Sequence, residues 1–471
     1  MSIWKRTRKR VNPKSGGKPG GTTKDQELMA MHRDQEPIQA RIDRVGECKA
    51  HSPLPFGRFI PEDKTLTMHI SPEMLEDAES EPRHFEFEEA GPREKIYFDP
   101  SKTKCAIVTC GGLCPGINDV IRALVMEAHH QYGISTTLGI RYGLEGFIPE
   151  YGHSVLELNP DIVTRIHEFG GTILGSSRGH QSIEDIVDAL DRMNVNILFL
   201  VGGDGTMKAA AAITQEITKR KLKLSVIGVP KTIDNDIYFV PKSFGFDTAV
   251  SKATEAIRCA HTEAQGAPNG LGLVKLMGRE SGFIAAEATL AQRDVNFVLI
   301  PEEHFDLDPP NGFLHHLHER VVKRNHAVIV VAEGAGQSLC RFEVDSNGDI
   351  LTDASGNPVL ADVCGMLQDR IKSYFKDQGM PITLKYIDPS YIIRSVPANS
   401  SDNVYCGFLG QHAVHAAMAG KTNMVVTRLQ DRYVYLPLEL VTQKRRKLNV
   451  YSNYWRAVLE STGQPTHMQN G

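Results

Sequence analysis

The stretch VNILFLVGGDGTMKAAAAI (Val195–Ile213) joins an apolar run, a glycine-rich loop and an alanine-rich segment without interruption. A short, continuously apolar run is typical of a strand that is covered on both faces of its sheet. The alanine-rich continuation favours a helix. Strand, loop and helix in this order form the unit of parallel sheets, because parallel strands need a crossover connection. The stretch therefore predicts an α/β fold.

The same order recurs along the chain. Runs rich in Val and Ile end in glycine loops and lead into helical patterns at KCAIVTC (Lys104–Cys110), LSVIGVPKTIDND (Leu224–Asp236), GLVKLMGRESGFIAAEA (Gly272–Ala288) and HAVIVVAEGAG (His326–Gly336). This repetition predicts two doubly wound, Rossmann-like domains with mainly parallel sheets, whose ligands should lie at the carboxyl ends of the strands. Residues 1–96 differ in composition, with a basic segment (Lys14–Lys24) and an acidic run (Glu76–Ala90), and are predicted to be an N-terminal extension that is disordered at its start. The predicted limits are 1–96 for the extension, 97–245 with 393–443 for the first domain, and 246–392 with 444–471 for the second.

Composition excludes several classes of protein. The 471 residues carry a net charge of -4, so no global basic field exists to bind nucleic acid. No apolar run approaches the roughly 20 residues that span a bilayer. The eight cysteines lack zinc-site spacing and are too few for a disulfide scaffold, which favours reduced thiols in the cytoplasm. The start, MSIWKRTRKRVNPKSGG, has no apolar segment of the kind found in secretory signals.

Two of the loops contain features that suit anions. CGGLCPGIN (Cys110–Asn118) is a glycine-rich turn before a helix, where backbone N–H groups and the helix dipole favour a phosphate. A tight turn needed only for packing is the alternative, and Asn118 is a plausible N-cap. In GGTILGSSRG (Gly170–Gly179), Arg178 lies among small residues that suit bidentate phosphate binding. The alternative is an ordinary surface arginine.

The loop VGGDGT (Val201–Thr206) is more specific. Asp204 is well placed to hold Mg²⁺, directly or through water, while the glycines let phosphates lie against the backbone. The alternative is that Asp204 caps the following helix. Three glycines around one aspartate favour the phosphate site, since a cap does not need them.

PKTIDND (Pro230–Asp236) places charges of both signs at the end of a predicted strand. Asp234 and Asp236 would face the same side in an extended chain. Neighbouring carboxylates raise each other's pKa unless a cation such as Lys231 or a metal is close. A carboxylate base that takes a hydroxyl proton during phosphoryl transfer is the expected role, and an Asx-rich turn is the alternative.

Later loops add groups that suit a sugar phosphate. Arg279 in MGRESGF can stabilise negative charge, and Glu333 in AEGAG can accept hydrogen bonds from hydroxyls. TLKYIDPSYIIRS contributes Lys385, Tyr391 and Arg394. The tract KRRK (Lys444–Lys447) is predicted to be a solvated face, with binding of an anionic effector as the alternative.

Taken in order, GGLCPGIN, GSSRG, GGDGT, PKTIDND, MGR, EG and PSYIIR resemble the motifs of the 6-phosphofructokinase family over about residues 97–460. The amino-acid sequences of these motifs are most similar to those of the long ATP-dependent enzymes of plants and trypanosomatids. The resemblance implies an allosteric cytoplasmic enzyme that uses Mg²⁺ to transfer phosphate from ATP to the 1-hydroxyl of fructose 6-phosphate. It implies that the first domain binds nucleotide and that the second binds the sugar phosphate.

The family's roles transfer residue by residue. Asp234 would be the base, supported by Thr232 and Asp236, with Lys231 and Arg279 beside the transferring phosphate. The residues implied for the nucleotide are Gly111, Gly112, Arg178, Gly203, Asp204, Gly205 and Thr206, with Asp204 on the metal. Those implied for the sugar are Thr232, Asp234, Met277, Gly278, Arg279, Glu333, Lys385, Tyr391 and Arg394. Lys385 stands where short enzymes have an arginine from a neighbouring subunit, which implies a homo-oligomer, a tetramer, with a shared substrate site.

Two departures from the family pattern bear on function. A second inter-subunit arginine of short enzymes falls here on Gly270. The residues that distinguish the two phosphoryl donors of the family give mixed signals. A glycine at the position of Gly205 is found in members that use ATP, whereas a lysine at the position of Lys231 is found in many members that use pyrophosphate. An aspartate at 205 would put a carboxylate where the α-phosphate of ATP must pass, so Gly205 favours ATP.

The alternatives are a pyrophosphate-dependent phosphotransferase, an NAD or lipid kinase with a related GGDG loop, and an inactive regulatory subunit. The presence of the sugar-site residues Arg279, Glu333 and Arg394 disfavours an NAD or lipid kinase. An inactive subunit should have lost Asp234, Asp204 or Arg279, and all three are present.

Overall fold

The computed structural model describes residues 38–55, 57–70, 83–345, 348–354 and 356–471. The basic segment Lys14–Lys24, and with it the predicted disordered start of the extension, lies outside the described residues. The strands are β1 (Ile38–Ala40), β2 (Asp43–Arg44), β3 (Ala50–His51), β4 (Thr65–Ile70), β5 (Arg83–Glu89), β6 (Lys95–Ile96), β7 (Lys104–Thr109), β8 (Thr136–Ile140), β9 (Leu156–Leu158), β10 (Ile197–Gly202), β11 (Ser225–Pro230), β12 (Gly270–Leu276), β13 (Phe297–Leu299), β14 (His326–Ala332), β15 (Thr383–Ile387), β16 (Lys421–Thr422), β17 (Met424–Leu429) and β18 (Arg432–Pro437).

Helices connect most of these strands. They are α1 (Ile117–Met126), α2 (Pro160–Val163), α3 (Ile183–Arg192), α4 (Asp204–Lys219), α5 (Phe246–Gln265), α6 (Phe283–Gln292), α7 (Phe313–Arg324), α8 (Val363–Asp377), α9 (Ser390–Ser395), α10 (Ser400–Met418), α11 (Leu438–Val441) and α12 (Asn453–Thr462). Short 3₁₀ turns lie at 100–102, 143–147, 149–151, 166–168 and 337–339, and a π-helical turn extends α1 over 127–131.

Within the described residues, the larger sheet has ten strands in the order β1-β5-β18-β17-β11-β10-β7-β8-β9, with β4 paired to β5. Strands β17, β11, β10, β7 and β8 run parallel to one another, and β18 and β9 are antiparallel additions. All six residues of β10 are buried, as its continuous apolar run predicts. The smaller sheet is wholly parallel, in the order β13-β14-β12-β15. The predicted α/β class with mainly parallel sheets is confirmed.

A shared middle layer joins the two sheets. One buried cluster contains Phe199 of the larger sheet, Val328 of the smaller sheet, and residues of α1, α5, α6 and α10. The outer face of the larger sheet packs against α3 and α4, and the outer face of the smaller sheet packs against α7 and α8. Helices therefore cover both faces of each sheet, and the carboxyl ends of the two sets of strands are fixed relative to each other.

The N-terminal extension contributes strands of its own to the larger sheet. Phe85 and Phe87 of β5 are buried, and they alternate with glutamates. Lys421, which is fully buried, donates a hydrogen bond to Glu88 and ties this edge to the core. In the described residues, no helix is long and apolar enough to cross a membrane.

Candidate active site

The strand-end loops meet around one cavity of about 640 Å³. The loops that follow β7, β10 and β11 form most of its wall, because the carboxyl ends of these neighbouring parallel strands lie at one edge of the sheet. Predicted site residues that line the cavity are Gly111, Gly112, Arg178, Gly203, Asp204, Gly205, Thr206, Lys231, Thr232, Asp234, Asp236, Met277 and Arg394.

Glycine occupies two positions of the GGDGT loop for different physical reasons. A Cβ atom on Gly202 would overlap the side chain of Thr206, so packing excludes any larger residue there. A Cβ atom on Gly205 would meet nothing within 4 Å, and its φ is not positive. Gly205 is thus dispensable for the fold, and what its missing side chain provides is open space in the cavity.

Two guanidinium groups flank the first glycine loop. The position of a Cβ atom on Gly112 is 3.3 Å from Nη2 of Arg178 and 3.8 Å from Nη1 of Arg394. Guanidinium pairs of this kind suit phosphate oxygens, which accept hydrogen bonds from both forks. Tyr391 lies beneath Arg394, whose guanidinium carbon is 4.9 Å from the ring centre, and is itself 75% exposed.

Asp204 is the first residue of α4 and is not its cap. Gly203 occupies the N-cap position and makes no side-chain capping bond, so the capping alternative is wrong. The Asp204 carboxylate pairs with Lys208 Nζ at 2.9 Å and lies 3.7 Å from Arg445 Nε. A largely shielded carboxylate at the start of a helix, beside this cavity, fits the oxygen ligands that Mg²⁺ prefers.

Lys231 joins two of the loops. Its side chain is buried, and Nζ donates a hydrogen bond of 2.6 Å to the carbonyl oxygen of Gly112. The Lys231 backbone N–H donates to Gly202 O at 2.9 Å. Burial is the largest influence on its ammonium group and lowers the pKa of Lys231. A cation fixed at this point stands beside any phosphate bound to the glycine loops.

The carboxylates of PKTIDND form a turn instead of the predicted extended chain. Asn235 has the left-handed φ of 58°, and Thr232 Oγ1 donates to Asp236 Oδ1 at 2.9 Å while accepting from the Asp234 N–H at 3.2 Å. Both carboxylates nevertheless line the cavity. The geometric reason given from the sequence was wrong, because the turn, and not strand alternation, brings the two groups together.

The surroundings of Asp234 raise the affinity of its carboxylate for protons. Burial, followed by the nearby carboxylates of Asp236 and Glu333, raises the pKa of Asp234 to about 8. Its Oδ1 atom is buried and has no hydrogen-bond partner among the described residues. A hydroxyl group that entered the cavity would supply the missing donor.

Among the residues predicted to bind the sugar, Thr232, Asp234, Met277 and Arg394 line the cavity. The others lie outside its lining, as far as the described residues define it: Gly278, Arg279, Glu333, Lys385 and Tyr391. The backbone N–H of Gly334 bonds to Gly278 O at 3.0 Å, which holds the loops after β12 and β14 together. Glu333 is largely buried, and burial raises its pKa. Lys385 is half exposed on β15 and pairs with Glu263 at 3.9 Å.

Arg279 is held by a segment that the sequence analysis did not single out. Its guanidinium donates to the carbonyl oxygen of Pro358 and lies 3.5 Å from Asp353. The same Asp353 carboxylate is 4.0 Å from Arg178, and neighbouring Asn357 lines the cavity. One carboxylate thus lies between Arg178, which is predicted to bind the nucleotide, and Arg279, which is predicted to bind the sugar.

Two more sequence expectations are corrected, and one residue was missed. Asn118 is not an N-cap, because α1 begins after Gly116; its amide instead bonds to Phe169 O and the Ile173 N–H. The KRRK tract is solvated only at Lys444 and Lys447, because Arg446 is buried and Arg445 lines the cavity. Lys208 was also missed, although it lies one helical turn after Asp204 and its position could have been read from that spacing.

Gly270, where short enzymes have an arginine, starts β12. A Cβ atom there would overlap the carbonyl oxygen of Ala264. The close approach of α5 to β12 therefore excludes any side chain at this position.

Comparisons with known proteins all identify phosphofructokinases as similar to this chain. A sequence model described as Phosphofructokinase matches residues 104–417. The chain is 48% identical over 448 residues to the ATP-dependent 6-phosphofructokinase of Borreliella burgdorferi, covering 92% of this chain and 99% of that one. It is 46% identical over 411 residues to ATP-dependent 6-phosphofructokinase 1 of Arabidopsis thaliana, covering 87% of this chain and 85% of that one.

Solved structures share the fold. A pyrophosphate-dependent phosphofructokinase from Marinobacter aquaeolei matches with a TM-score of 0.63 at 20% identity, covering 78% of this chain and 93% of that one. A phosphofructokinase from Pichia pastoris in the T-state matches with a TM-score of 0.58 at 21% identity, covering 77% of this chain and 37% of that one. At these identities the likeness supports the architecture alone.

Proposed function

This chain belongs to the phosphofructokinase family, and we propose the roles by which its residues transfer phosphate from ATP to the 1-hydroxyl of fructose 6-phosphate. The products are fructose 1,6-bisphosphate and ADP. The observation that carries these roles is the position of Asp234: its side chain, whose pKa is raised by burial and by nearby carboxylates, belongs to the wall of the cavity together with the GGDGT loop and Arg178.

Asp234 is the general base. Its carboxylate takes the proton of the 1-hydroxyl as the sugar oxygen bonds to the γ-phosphorus and the bond from that phosphorus to the β–γ bridging oxygen breaks. Such a base is worth about 10²–10⁴-fold in rate. Thr232 donates to Asp236 and accepts from the Asp234 N–H, so the turn fixes the direction in which the base points.

The glycine loops and three cations bind the phosphates. Gly111, Gly203 and Gly205 leave room for the phosphate chain, while Arg178 and Lys231 offset its charge. In phosphoryl transfer the protein contributes chiefly by positioning and by electrostatic stabilisation, which fixed cations provide. Arg394 beside Gly112 stands at the boundary between nucleotide and sugar and suits a phosphate of either.

Asp204 would hold Mg²⁺. The ion, when bound with ATP, offsets the charge of the phosphates and orients them. The carboxylate now pairs with Lys208 and lies near Arg445, so an incoming cation must compete with these two side chains for it. The donor set, a carboxylate with room for water and phosphate oxygens, is the one that this ion prefers.

Met277, Gly278, Arg279 and Glu333 form the sugar side, with Tyr391 and Arg394 towards the 6-phosphate. Lys385, an exposed residue of β15, is proposed to reach the site of a neighbouring copy in a homotetramer. The proposed location is the cytoplasm, and allosteric control at subunit interfaces belongs to the same proposal.

Product analysis tests the reaction. We expect ³¹P NMR of the purified chain with MgATP and fructose 6-phosphate to show ADP and a new C1 phosphate monoester, and neither when the sugar is omitted. Release of ADP and inorganic phosphate without the monoester would contradict the proposal.

A further inference from the structure

Resting on the proposed function, we infer that Arg445 is a phosphate-binding residue of the active site, supplied by the C-terminal segment 444–471. The residue belongs to the KRRK tract, far in sequence from the glycine loops. Its side chain is 25% exposed and lines the cavity beside Asp204. The ligand it would take is the anionic phosphate chain of ATP, next to the point where Asp204 would hold the metal.

The backbone fixes Arg445 against the catalytic turn. Arg445 forms a β-bridge with Ile237, and the next residue, Arg446, donates its backbone N–H to Asp236 O at 2.9 Å. The turn that carries the proposed base and the residue that carries the guanidinium are therefore one hydrogen-bonded unit. A shift in one of them moves the other.

Buried contacts of Arg446 hold this unit in place. The guanidinium of Arg446 donates to Asn235 O at 3.2 Å and Pro241 O at 3.1 Å, and its central carbon is 4.2 Å from the centre of the Phe283 ring. Arg446 is 7% exposed, so these contacts are shielded from water. Two adjacent arginines thus have different functions: Arg446 anchors the tract, and Arg445 faces the cavity.

The contacts of Arg445 leave it able to bind an anion. Nη1 donates to Glu280 Oε1 at 2.6 Å, which sets the direction of the side chain. Nε is 3.7 Å from Asp204 Oδ2, beyond hydrogen-bond distance. A guanidinium has five N–H donors in a planar fork, so the bond to Glu280 leaves donors for phosphate oxygens.

The charges around Asp204 point to the same ligand. Lys208 and Arg445 place two cations around one carboxylate, and Arg178 and Arg394 place two more around Gly112. A phosphate chain that lay along the GGDGT loop and reached Gly112 would meet both groups of cations. Arg445 would then exchange its electrostatic contact with Asp204 for the phosphate.

The test compares Arg445→Gln with Arg445→Lys and with Lys447→Gln as the matched control. Lys447 is an exposed residue of the same tract and loses the same charge. We expect Arg445→Gln to lose roughly 10²-fold in kcat/KM for ATP, Arg445→Lys to recover part of this loss, and Lys447→Gln to stay within about twofold of wild type. The melting temperatures of all three variants should match that of wild type.

Calorimetric titration with MgADP separates this inference from the proposed function. We expect weaker MgADP binding by Arg445→Gln than by Lys447→Gln, whatever sugar the enzyme accepts. Wild-type chain that binds MgADP but does not phosphorylate fructose 6-phosphate would refute the function and leave the binding comparison intact. Equal MgADP affinity and equal kcat/KM in Arg445→Gln and wild type would overturn the inference, as would equal losses in Arg445→Gln and Lys447→Gln.

Discussion

The two sides of the cleft are built differently. On the proposed nucleotide side, backbone groups of adjacent parallel strands meet around glycines, and the hydrogen bond from Lys231 Nζ to Gly112 O holds two of the loops together. On the sugar side, long side chains at the ends of the smaller sheet are held by other protein groups: Arg279 by Pro358 and Asp353, and Lys385 by Glu263. The first side is preformed by strand pairing, whereas the second depends on side-chain partners that substrate phosphates can replace.

This difference separates the effects that substitutions should have. A change to one group of a preformed site should remove the contribution of that group and leave its neighbours in place. A site held by competing ion pairs responds to changes in those partners through substrate affinity.

The largest effect is expected for Asp234→Asn. Removal of the proton acceptor should lower kcat by about 10²–10⁴-fold with little change in KM for ATP, because the glycine loops are untouched. The melting temperature at pH 7 should be no lower than that of wild type, because the raised pKa of Asp234 makes folding of the wild-type chain take up a proton at this pH, a cost that Asn does not incur. A variant with near-normal kcat would show that Asp234 is not the base.

A smaller loss is expected for Arg279→Ala on the sugar side. Loss of a guanidinium that stabilises the transferring phosphate should cost roughly 10²-fold in kcat, with KM for ATP nearly unchanged. Arg293, an exposed residue at the end of α6, provides a control with the same substitution. A selective rise in KM for ATP, at unchanged kcat, would place Arg279 on the nucleotide side and refute the division of the cleft into these two sides.

The pH dependence of kcat/KM reports the base of the free enzyme. The raised pKa of Asp234, about 8, means that the carboxyl group is protonated and inactive at lower pH. We therefore expect kcat/KM to fall about tenfold per pH unit well below pH 8 and to level off above it. A flat profile between pH 6 and 9 would contradict a buried carboxylate base.

The smallest effect is expected for Asp353→Asn. Its carboxylate lies between Arg178 and Arg279 and competes with incoming phosphates, so neutralising it should lower KM for ATP or fructose 6-phosphate roughly two- to fivefold. Asp349→Asn, an exposed change in the same segment, is the matched control. A higher KM in Asp353→Asn alone would show that Asp353 assists substrate binding.

Sequence patterns predicted what is local. The glycine loops and the strands before them could be placed because apolar runs, turn glycines and helix starts are all adjacent in the chain. The alternation of Phe85 and Phe87 with glutamates in β5 was also a local signal of a strand, although the extension was interpreted only by its composition.

The remaining features depend on contacts between distant segments. Arg445 and Asp353 reach the cleft from elsewhere in the chain, and neither carries a local pattern that distinguishes it from a surface residue. The direction of Arg279 is likewise set by Pro358, which lies 79 residues away in sequence. The direction of a long side chain depends on its hydrogen-bond and ion-pair partners, and only the folded chain brings these partners close to it.

Initial rates of the wild-type chain with fructose 6-phosphate and Mg²⁺, measured in parallel with ATP and with pyrophosphate, test the central claim most directly. The open space at Gly205 should admit the nucleotide, so we expect turnover with ATP and none above background with pyrophosphate. Turnover with pyrophosphate alone would contradict it, because Lys231 would then outweigh Gly205 in selecting the donor.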